Sequence, residues 1–155
     1  MRKTRAKERF VAPDPKFKDL VVAKFVNNLM LAGKKNAAFK IFYEAMEIID
    51  DRTEEGGLAT FKKALENITP QVEVRSRRIG GATFQIPQEV RPARKQSLGM
   101  KWIISFSRKR NGKSMGQKLA DELMAGAKGE GGAFKKKEDT HRMAESNKAF
   151  SHFRF

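Results

Sequence analysis

Apolar residues in the first half of the chain recur with the 3.6-residue period of amphipathic helices. The first run can be capped by Asp19 and ends at Gly33. A second helix is expected after the Lys34-Lys35 loop, with Asn36 as its cap, and a third between Gly56-Gly57 and Pro70. The inward positions of the three predicted helices are Val22, Phe25, Val26, Leu29 and Met30; Ala38, Ile41, Phe42, Ala45 and Ile49; and Leu58, Phe61, Leu65 and Ile68. Short loops between such helices predict a bundle.

Between residues 71 and 94 the helical period is replaced by two short extended runs around Gly80-Gly81. Gly-Gly supplies the positive φ angles of a type I′ turn, which predicts a β-hairpin over about residues 72–87. In a two-residue turn the facing pairs are Ile79 and Ala82, Arg78 and Thr83, Arg77 and Phe84, Ser76 and Gln85, and Arg75 and Ile86. Neither face is cleanly apolar. Arginines interleaved with Phe84 suit a surface that meets phosphates and bases, and a solvated hairpin of a basic protein is the alternative.

Helical periodicity returns after the hairpin. Pro92 suits the first turn of a fourth helix, along which Leu98, Trp102 and Phe106 recur every four residues beside Ile103. The basic residues Arg91, Arg94, Lys95 and Lys101 are expected on its outer face. Ser114 can cap a fifth helix with Met115, Leu119 and Leu123 inward. Residues 126–132 predict a flexible glycine-rich break, and the chain from about Phe134 is only weakly amphipathic, so we expect it to need a partner for full order.

Composition adds a strong and uneven positive charge to this picture. The 155 residues suit one domain and carry a formal net charge of +15, with a pI near 10.3. Residues 36–69 hold seven acidic and four basic residues, whereas residues 71–113 hold eleven basic and two acidic ones. Residues 1–12 are expected to form a flexible basic arm that a polyanion orders. The charge therefore indicates a polyanionic partner bound on one side, nucleic acid first and an anionic membrane second.

Signals for other classes of function are weak. The chain has no cysteine, no signal-peptide h-region and no apolar run of membrane-spanning length, so we expect a soluble intracellular protein. Gly112-Lys113-Ser114 lacks the first glycine and the preceding strand of a phosphate-binding loop, which favours a plain loop and helix cap. His141 and His152 are too far apart for a helical metal pair, and the acidic pairs 50–51, 54–55 and 121–122 suit helix ends and surfaces. We expect no catalysis, no metal and no cofactor.

Two other kinds of binding protein share the charge. A DNA-binding architectural protein would also carry a basic arm, and it would bind duplex DNA as well as structured RNA. A peripheral membrane protein would need an exposed helix that is basic on one face and strongly apolar on the other. The apolar faces predicted here are better used in a core.

Several segments in order along nearly the whole chain resemble small-subunit ribosomal protein seven of the bacterial type. They are PDPK at residues 13–16, LVVAKFVNNLM and GKK within 20–35, PQVEVRSRRIGGATFQIPQEVRPAR at 70–94, KEDTHRMAESNKAF at 137–150 and the ending FSHFRF. The resemblance implies a mainly α, single-domain fold of about six helices with a protruding hairpin. It also implies binding to the 3′ major (head) domain of 16S ribosomal RNA, nucleation of head assembly and a place at the exit site beside messenger RNA and transfer RNA. Phe84, Phe153 and Phe155 stand where many members carry tyrosine or tryptophan.

The same resemblance implies a division of the chain and roles for individual residues. The body would span residues 13–125, followed by the glycine-rich break and a C-terminal helix and tail over 126–155. Neighbouring head and platform proteins of the small subunit would be partners in the cytoplasm, with no homo-oligomer. Ribosomal RNA contacts are implied for Arg2, Lys3, Arg5, Lys7, Arg9, Lys34, Lys35, Arg75, Arg77, Arg78, Gly80, Gly81, Arg91, Arg94, Lys95, Lys101, Arg108 and Lys113. Exit-site contacts are implied for Arg77, Arg78, Gly80, Gly81, Phe84, Arg142, His152 and Arg154.

Overall fold

The computed structural model describes residues 9–153. Three helices come first: α1 (Leu20–Leu29), α2 (Lys35–Arg52) and α3 (Gly57–Ile68). An antiparallel hairpin of β1 (Val72–Ile79) and β2 (Ala82–Glu89) follows. The helices α4 (Pro92–Lys109), α5 (Met115–Ala127) and α6 (Gly131–Ser146) come next, and a 3₁₀ helix over Lys148–Phe153 ends the described chain. The predicted mainly α fold with one hairpin is confirmed.

The hydrophobic core lies between the helices, with α5 packed against α2, α3, α4 and α6. Its centre is aromatic. Phe25, Phe42 and Phe61 are fully buried, and the centroids of their rings lie 5.1 to 5.7 Å apart. Leu119 and Leu123 of α5 are fully buried as well. Burial of these apolar side chains is the main force that holds the helices together.

Two of the three predicted helix caps are confirmed. The Asp19 side chain accepts a hydrogen bond from the Val21 amide at 2.7 Å, and Ser114 accepts one from the Gln117 amide at 3.1 Å. The prediction of Asn36 as a cap is wrong. Backbone φ angles of +50° at Ala32 and +73° at Gly33 turn the chain into α2 early, so Lys34 is the cap and Asn36 lies in the first turn.

The hairpin has the predicted register at all five residue pairs. Its strands continue to Glu89, two residues past the predicted end. The two turn glycines have φ angles of +56° and +92°, the left-handed region that the two-residue turn requires. The hairpin is held at its sides, because α6 packs against β1 and the 3₁₀ helix packs against β2.

The inward face of α4 is wider than the predicted stripe. Its most deeply buried apolar side chains are Met100, Ile103 and Ile104. The predicted stripe of Leu98, Trp102 and Phe106 is only half-buried. The cause is that α4 has several neighbours, since α1, α3, α5 and α6 all pack against it.

The break in the glycine-rich segment at 126–132 is only three residues long, because α5 runs to Ala127 and α6 begins at Gly131. Gly126 lies in the last turn of α5 and Gly132 in the first turn of α6, which begins at Gly131, three residues before the predicted start near Phe134. Both are sites of close helix packing: a Cβ at Gly126 would lie 2.7 Å from Ile68 Cδ1, and one at Gly132 would lie 2.4 Å from Phe106 Cδ1. The glycines are therefore needed for contact between helices, which composition alone does not reveal.

The prediction that Asp121-Glu122 lie on a helix surface is wrong for Glu122, which is 1% exposed. Its carboxylate accepts hydrogen bonds from Arg110 Nε at 2.5 Å and from the Ala133 amide at 2.8 Å. Glu122 thus joins the end of α4 to the first turn of α6. Its spacing of three and four residues from Leu119 and Gly126 was a signal of burial in the sequence.

Candidate nucleic-acid interface

The candidate interface begins with the arginines of the hairpin. Arg75, Arg77 and Arg78 are exposed on β1, and both glycines of the turn are exposed. Apart from the adjacent residues in sequence, no residue of the described chain comes within 4 Å of a Cβ placed on either glycine, so the tip is open to a large partner. Exposed guanidinium groups on a short rigid ribbon are suited to bidentate contacts with phosphate oxygens.

At the hairpin base, Glu73 joins β1 to α4. Its carboxylate accepts bonds from Arg94 Nε at 2.9 and 3.0 Å and from Arg94 Nη2 at 2.8 Å. Arg75 Nε donates to the same carboxylate at 3.2 Å. The bond from Arg94 lowers the pKa of Glu73 against the opposing effect of burial, and Glu73 in turn raises the pKa of Arg94. The predicted RNA contact Arg94 is therefore also part of the fold.

The first turn of α4 carries positive charge, which is unfavourable at the N-terminus of an isolated helix. It contains no acidic residue, and Arg91, Arg94 and Lys95 stand at the end where the helix dipole is positive. Together with Arg75 and Glu73, Arg91 and Arg94 line a cleft of about 460 Å³ between the hairpin and α4. Cations collected at a helix N-terminus favour a bound anion, which makes this cleft a candidate phosphate site.

A second basic cleft, of about 380 Å³, lies between α1 and α4. Lys101, Arg108 and Lys109 line it together with Asn28 of α1. Arg108 Nη2 donates to the Leu29 carbonyl oxygen at 3.2 Å, which satisfies a terminal carbonyl of α1. The predicted contacts Lys101 and Arg108 are thus brought together, and Lys109 is an additional basic residue that the sequence-based assignment missed.

The remaining predicted RNA contacts lie in or beside loops, near the start of the chain, or outside the described residues. Lys34 and Lys35 are exposed at the α1–α2 turn, where Lys35 Nζ lies 5.6 Å from the centroid of the Phe39 ring. Lys113 is exposed between α4 and α5, and Arg9 is exposed at the first described position. Arg2, Lys3, Arg5 and Lys7 lie outside the described residues, as does Arg154. None of the described residues in this group lines either basic cleft.

The C-terminal 3₁₀ helix covers part of the hairpin. The Phe84 ring centroid lies 5.2 Å from that of Phe150 and 5.8 Å from that of Phe153, so Phe84 is half-buried. His152 and Arg142 are exposed nearby in sequence, and Arg142 pairs with Asp139. The sequence indicated an aromatic surface at Phe84, but it did not reveal that other aromatic side chains already occupy part of it.

His141 has a structural partner. Its Nε2 accepts a hydrogen bond from the Gln71 amide at 3.1 Å, and burial, together with the nearby Lys137 charge, lowers its pKa. Among residues 9–153, no group of three or more histidine or acidic side chains could hold a metal ion. No helix within that range is both long enough and apolar enough to cross a bilayer.

Comparison with known proteins gives one consistent result. Residues 1–148 match the family described as Ribosomal protein S7p/S5e. The chain is 59% identical over 155 residues to the small ribosomal subunit protein uS7 of Cytophaga hutchinsonii, and all of both chains is covered. It is similarly 62% identical over 158 residues to uS7 of Christiangramia forsetii and 58% identical over 158 residues to uS7 of Bacteroides fragilis, again over the full length of each.

Proposed function

The chain belongs to the ribosomal protein S7p/S5e family and is a non-enzymatic, structural component of the small ribosomal subunit. From that premise we propose that it binds the 3′ major (head) domain of 16S ribosomal RNA and nucleates assembly of the head. We further propose that it lies at the exit site near messenger RNA and transfer RNA. Membership of the family makes it an RNA-binding protein of translation, with ribosomal RNA and ribosomal proteins as partners in the cytoplasmic ribosome.

The observation that carries the RNA-binding proposal is the joining of two basic elements. Glu73 ties the arginine-bearing strand β1 to the basic first turn of α4, and the cleft between them is lined by Arg75, Arg91 and Arg94. A rigid arrangement of guanidinium groups can match the spacing of phosphates in one folded RNA and mismatch it in others. Shape-specific recognition of this kind is how proteins distinguish folded RNAs whose helix grooves cannot be read.

The proposed ribosomal RNA surface consists of basic residues, all exposed except the half-buried Lys95, and the hairpin tip. It includes the hairpin residues Arg75, Arg77, Arg78, Gly80 and Gly81, the N-cap Arg91 and the α4 residues Arg94, Lys95, Lys101 and Arg108, Lys34 and Lys35 at the start of α2, and the loop residue Lys113. Arg9 and the undescribed Arg2, Lys3, Arg5 and Lys7 would extend it. Each cation would displace counterions from the RNA, so affinity should fall steeply with salt.

The proposed exit-site surface comprises the outer hairpin and the C-terminal segment. Its residues are Arg77, Arg78, Gly80, Gly81, Phe84, Arg142 and His152, with Arg154 beyond the described range. Contacts of the Phe84 ring with Phe150 and Phe153 support a single surface made from both segments. Because Phe150 and Phe153 cover one side of the Phe84 ring, Phe84 mainly holds the strand in place. The part of its ring that remains exposed is available for stacking with a base.

We also propose that the whole chain acts as one RNA-binding domain and meets neighbouring head and platform proteins as a monomer. The contact of α6 and the 3₁₀ helix with the hairpin supports this, because it connects residues 131–153 to the body. Neighbouring proteins would meet the surfaces that the RNA leaves free.

The decisive experiment measures binding of the purified protein to a transcript of the small-subunit head domain. The competitors are a folded RNA of equal length and a DNA duplex, over about 50 to 200 mM salt, where phosphate-driven affinity changes most. We expect the head transcript to keep a large advantage at the upper end. Equal loss of all three complexes would contradict shape-specific binding, and tight binding of the duplex would favour an architectural DNA-binding protein.

A charge-matched pair of variants tests the assignment of the hairpin. Replacing Arg75, Arg77 and Arg78 with glutamine should weaken binding. It should also reduce the salt slope, the slope of log affinity against log salt concentration, by about three, because about three phosphate contacts are lost. The control replaces Lys40, Arg52 and Lys63, three exposed cations of α2 and α3, and thus removes the same charge elsewhere. An equal change of the salt slope in both variants would contradict the hairpin assignment.

A further inference from the structure

The cleft at the base of the hairpin contains a carboxylate where an RNA-binding surface would be expected to have none. The Glu73 side chain is 13% exposed and stands among Arg75, Arg91 and Arg94. An acidic group beside a phosphate costs binding free energy through repulsion. Its presence therefore needs a reason that offsets this repulsion.

Geometry supplies the reason. Arg94 approaches the carboxylate side-on with Nε and Nη2, and Arg75 approaches it with Nε. A guanidinium has five N–H donors in a planar fork, so these bonds use two donors of Arg94 and one of Arg75. The two guanidinium groups are thus held by one carboxylate, with donors remaining for another acceptor. Long side chains that are fixed in advance lose less entropy when they bind.

We propose that Glu73 is a positioning residue for RNA binding, which fixes Arg75 and Arg94 so that, together with Arg91, they receive one phosphodiester group of the RNA backbone in the cleft between the hairpin and α4. This inference rests on the proposed RNA-binding function and adds a role for an acidic residue to it. Arg94 then acts in two ways, as a link between α4 and β1 and as one side of the phosphate site.

Simple electrostatics makes the opposite prediction, which allows the two explanations to be separated. Glu73→Gln removes one negative charge from the cleft, so charge alone predicts tighter binding to every RNA. A glutamine offers one acceptor oxygen and cannot hold Arg94 in the bidentate arrangement. Positioning therefore predicts weaker binding to the specific RNA and unchanged or tighter binding to other RNAs.

Glu89 provides a matched control. It lines the same cleft on β2, but its side chain is 71% exposed and Lys95 Nζ lies 3.6 Å from its Oε1. Glu89→Gln makes the same change of charge without disturbing Arg94. Binding of both variants and the wild type is measured at one salt concentration to the head-domain transcript and to a folded RNA of equal length.

We expect Glu73→Gln to bind the head transcript about tenfold more weakly, the effect of losing one charge-assisted hydrogen bond, with no loss on the control RNA. Glu89→Gln should bind both RNAs as tightly as the wild type or slightly more so. If Glu73→Gln tightens binding to both RNAs as Glu89→Gln does, the positioning role is overturned. If the wild type itself shows no preference for the head transcript, the proposed function fails before Glu73 is tested.

A second variant covers the case in which Glu73→Gln weakens folding of the hairpin. Arg94→Lys keeps the charge at a half-exposed position and loses the fork, which a lysine cannot reproduce. It should lose the same preference for the head transcript while its binding to the control RNA stays near that of the wild type. Its melting temperature should fall less than that of Glu73→Gln, because a lysine keeps a positive charge opposite Glu73. Full preference retained in Arg94→Lys would overturn the proposal.

Discussion

Replacement of Glu122 tests whether one buried carboxylate joins three helices. Glu122 of α5 is 1% exposed and accepts bonds from Arg110 at the end of α4 and from the Ala133 amide in the first turn of α6. The residue before α6, Glu130, makes no capping bond with its own side chain. Glu122 therefore serves as the cap of α6 from a neighbouring helix, in addition to neutralising Arg110.

The expected magnitude follows from what Glu122→Ala leaves behind. Removing one partner of a buried ion pair costs about 3–5 kcal/mol. Here the Arg110 side chain is 33% exposed and can turn to water, which reduces the cost. The Ala133 amide, however, would be left without its partner, at about 1–3 kcal/mol. We expect a loss of about 2–4 kcal/mol for Glu122→Ala. Glu122→Gln should lose less unfolding free energy, because the glutamine carbonyl oxygen can still accept the hydrogen bond from the Ala133 amide.

Urea unfolding followed by circular dichroism measures these losses without RNA. Both variants should unfold at a lower urea midpoint, with little change in the slope of unfolding free energy against urea concentration. In thermal unfolding, the melting temperature of Glu122→Ala should be about 4–16 °C lower, at about 2–4 °C per kcal/mol for a chain of this size. The control is Asp121→Asn. Its partner Arg52 has a side chain that is about half exposed, so the loss of unfolding free energy should be small. A loss below about 1 kcal/mol for Glu122→Ala, or an equal loss for Asp121→Asn, would refute the reasoning.

Three further predictions use other contacts of the fold. Because burial lowers the pKa of His141 below its unfolded value, its protonation should cost stability as the pH falls below about 6.5. In His141→Gln the urea midpoint should therefore change less between pH 7.5 and 5.5 than in the wild type, and an equal change in both proteins would contradict this. Gly57→Ala should lower the melting temperature more than Gly126→Ala, since the new methyl group would lie 2.8 Å from a backbone carbonyl at Gly57 but meets a movable isoleucine methyl at Gly126. Burial and the hydrogen bond to Asp14 raise the pKa of Tyr43 to about 12. As Tyr43 is the only tyrosine, ultraviolet titration should show no tyrosinate near pH 10, and a midpoint there would contradict the buried contact.

The sequence by itself determined the features that depend on neighbours along the chain. Asp19 and Ser114 act as caps because a side-chain oxygen reaches amides two or three residues ahead. The register of all five predicted hairpin pairs follows from the two-residue Gly80-Gly81 turn and the period of two in a strand. The inward faces of α1 and α3 follow from helical periodicity in the same way.

Only the tertiary structure decided which distant residues meet. A helical period shows that one side of α4 is apolar, but not that several helices share it. Ile103 is buried as predicted, but Met100 and Ile104, which the predicted stripe did not include, are buried more deeply than Leu98, Trp102 and Phe106. The pairing of Glu73 with Arg94, the burial of Glu122 and the covering of Phe84 by Phe150 each join residues far apart in sequence. Such contacts depend on the relative placement of whole elements, which packing of the core fixes and no local pattern encodes.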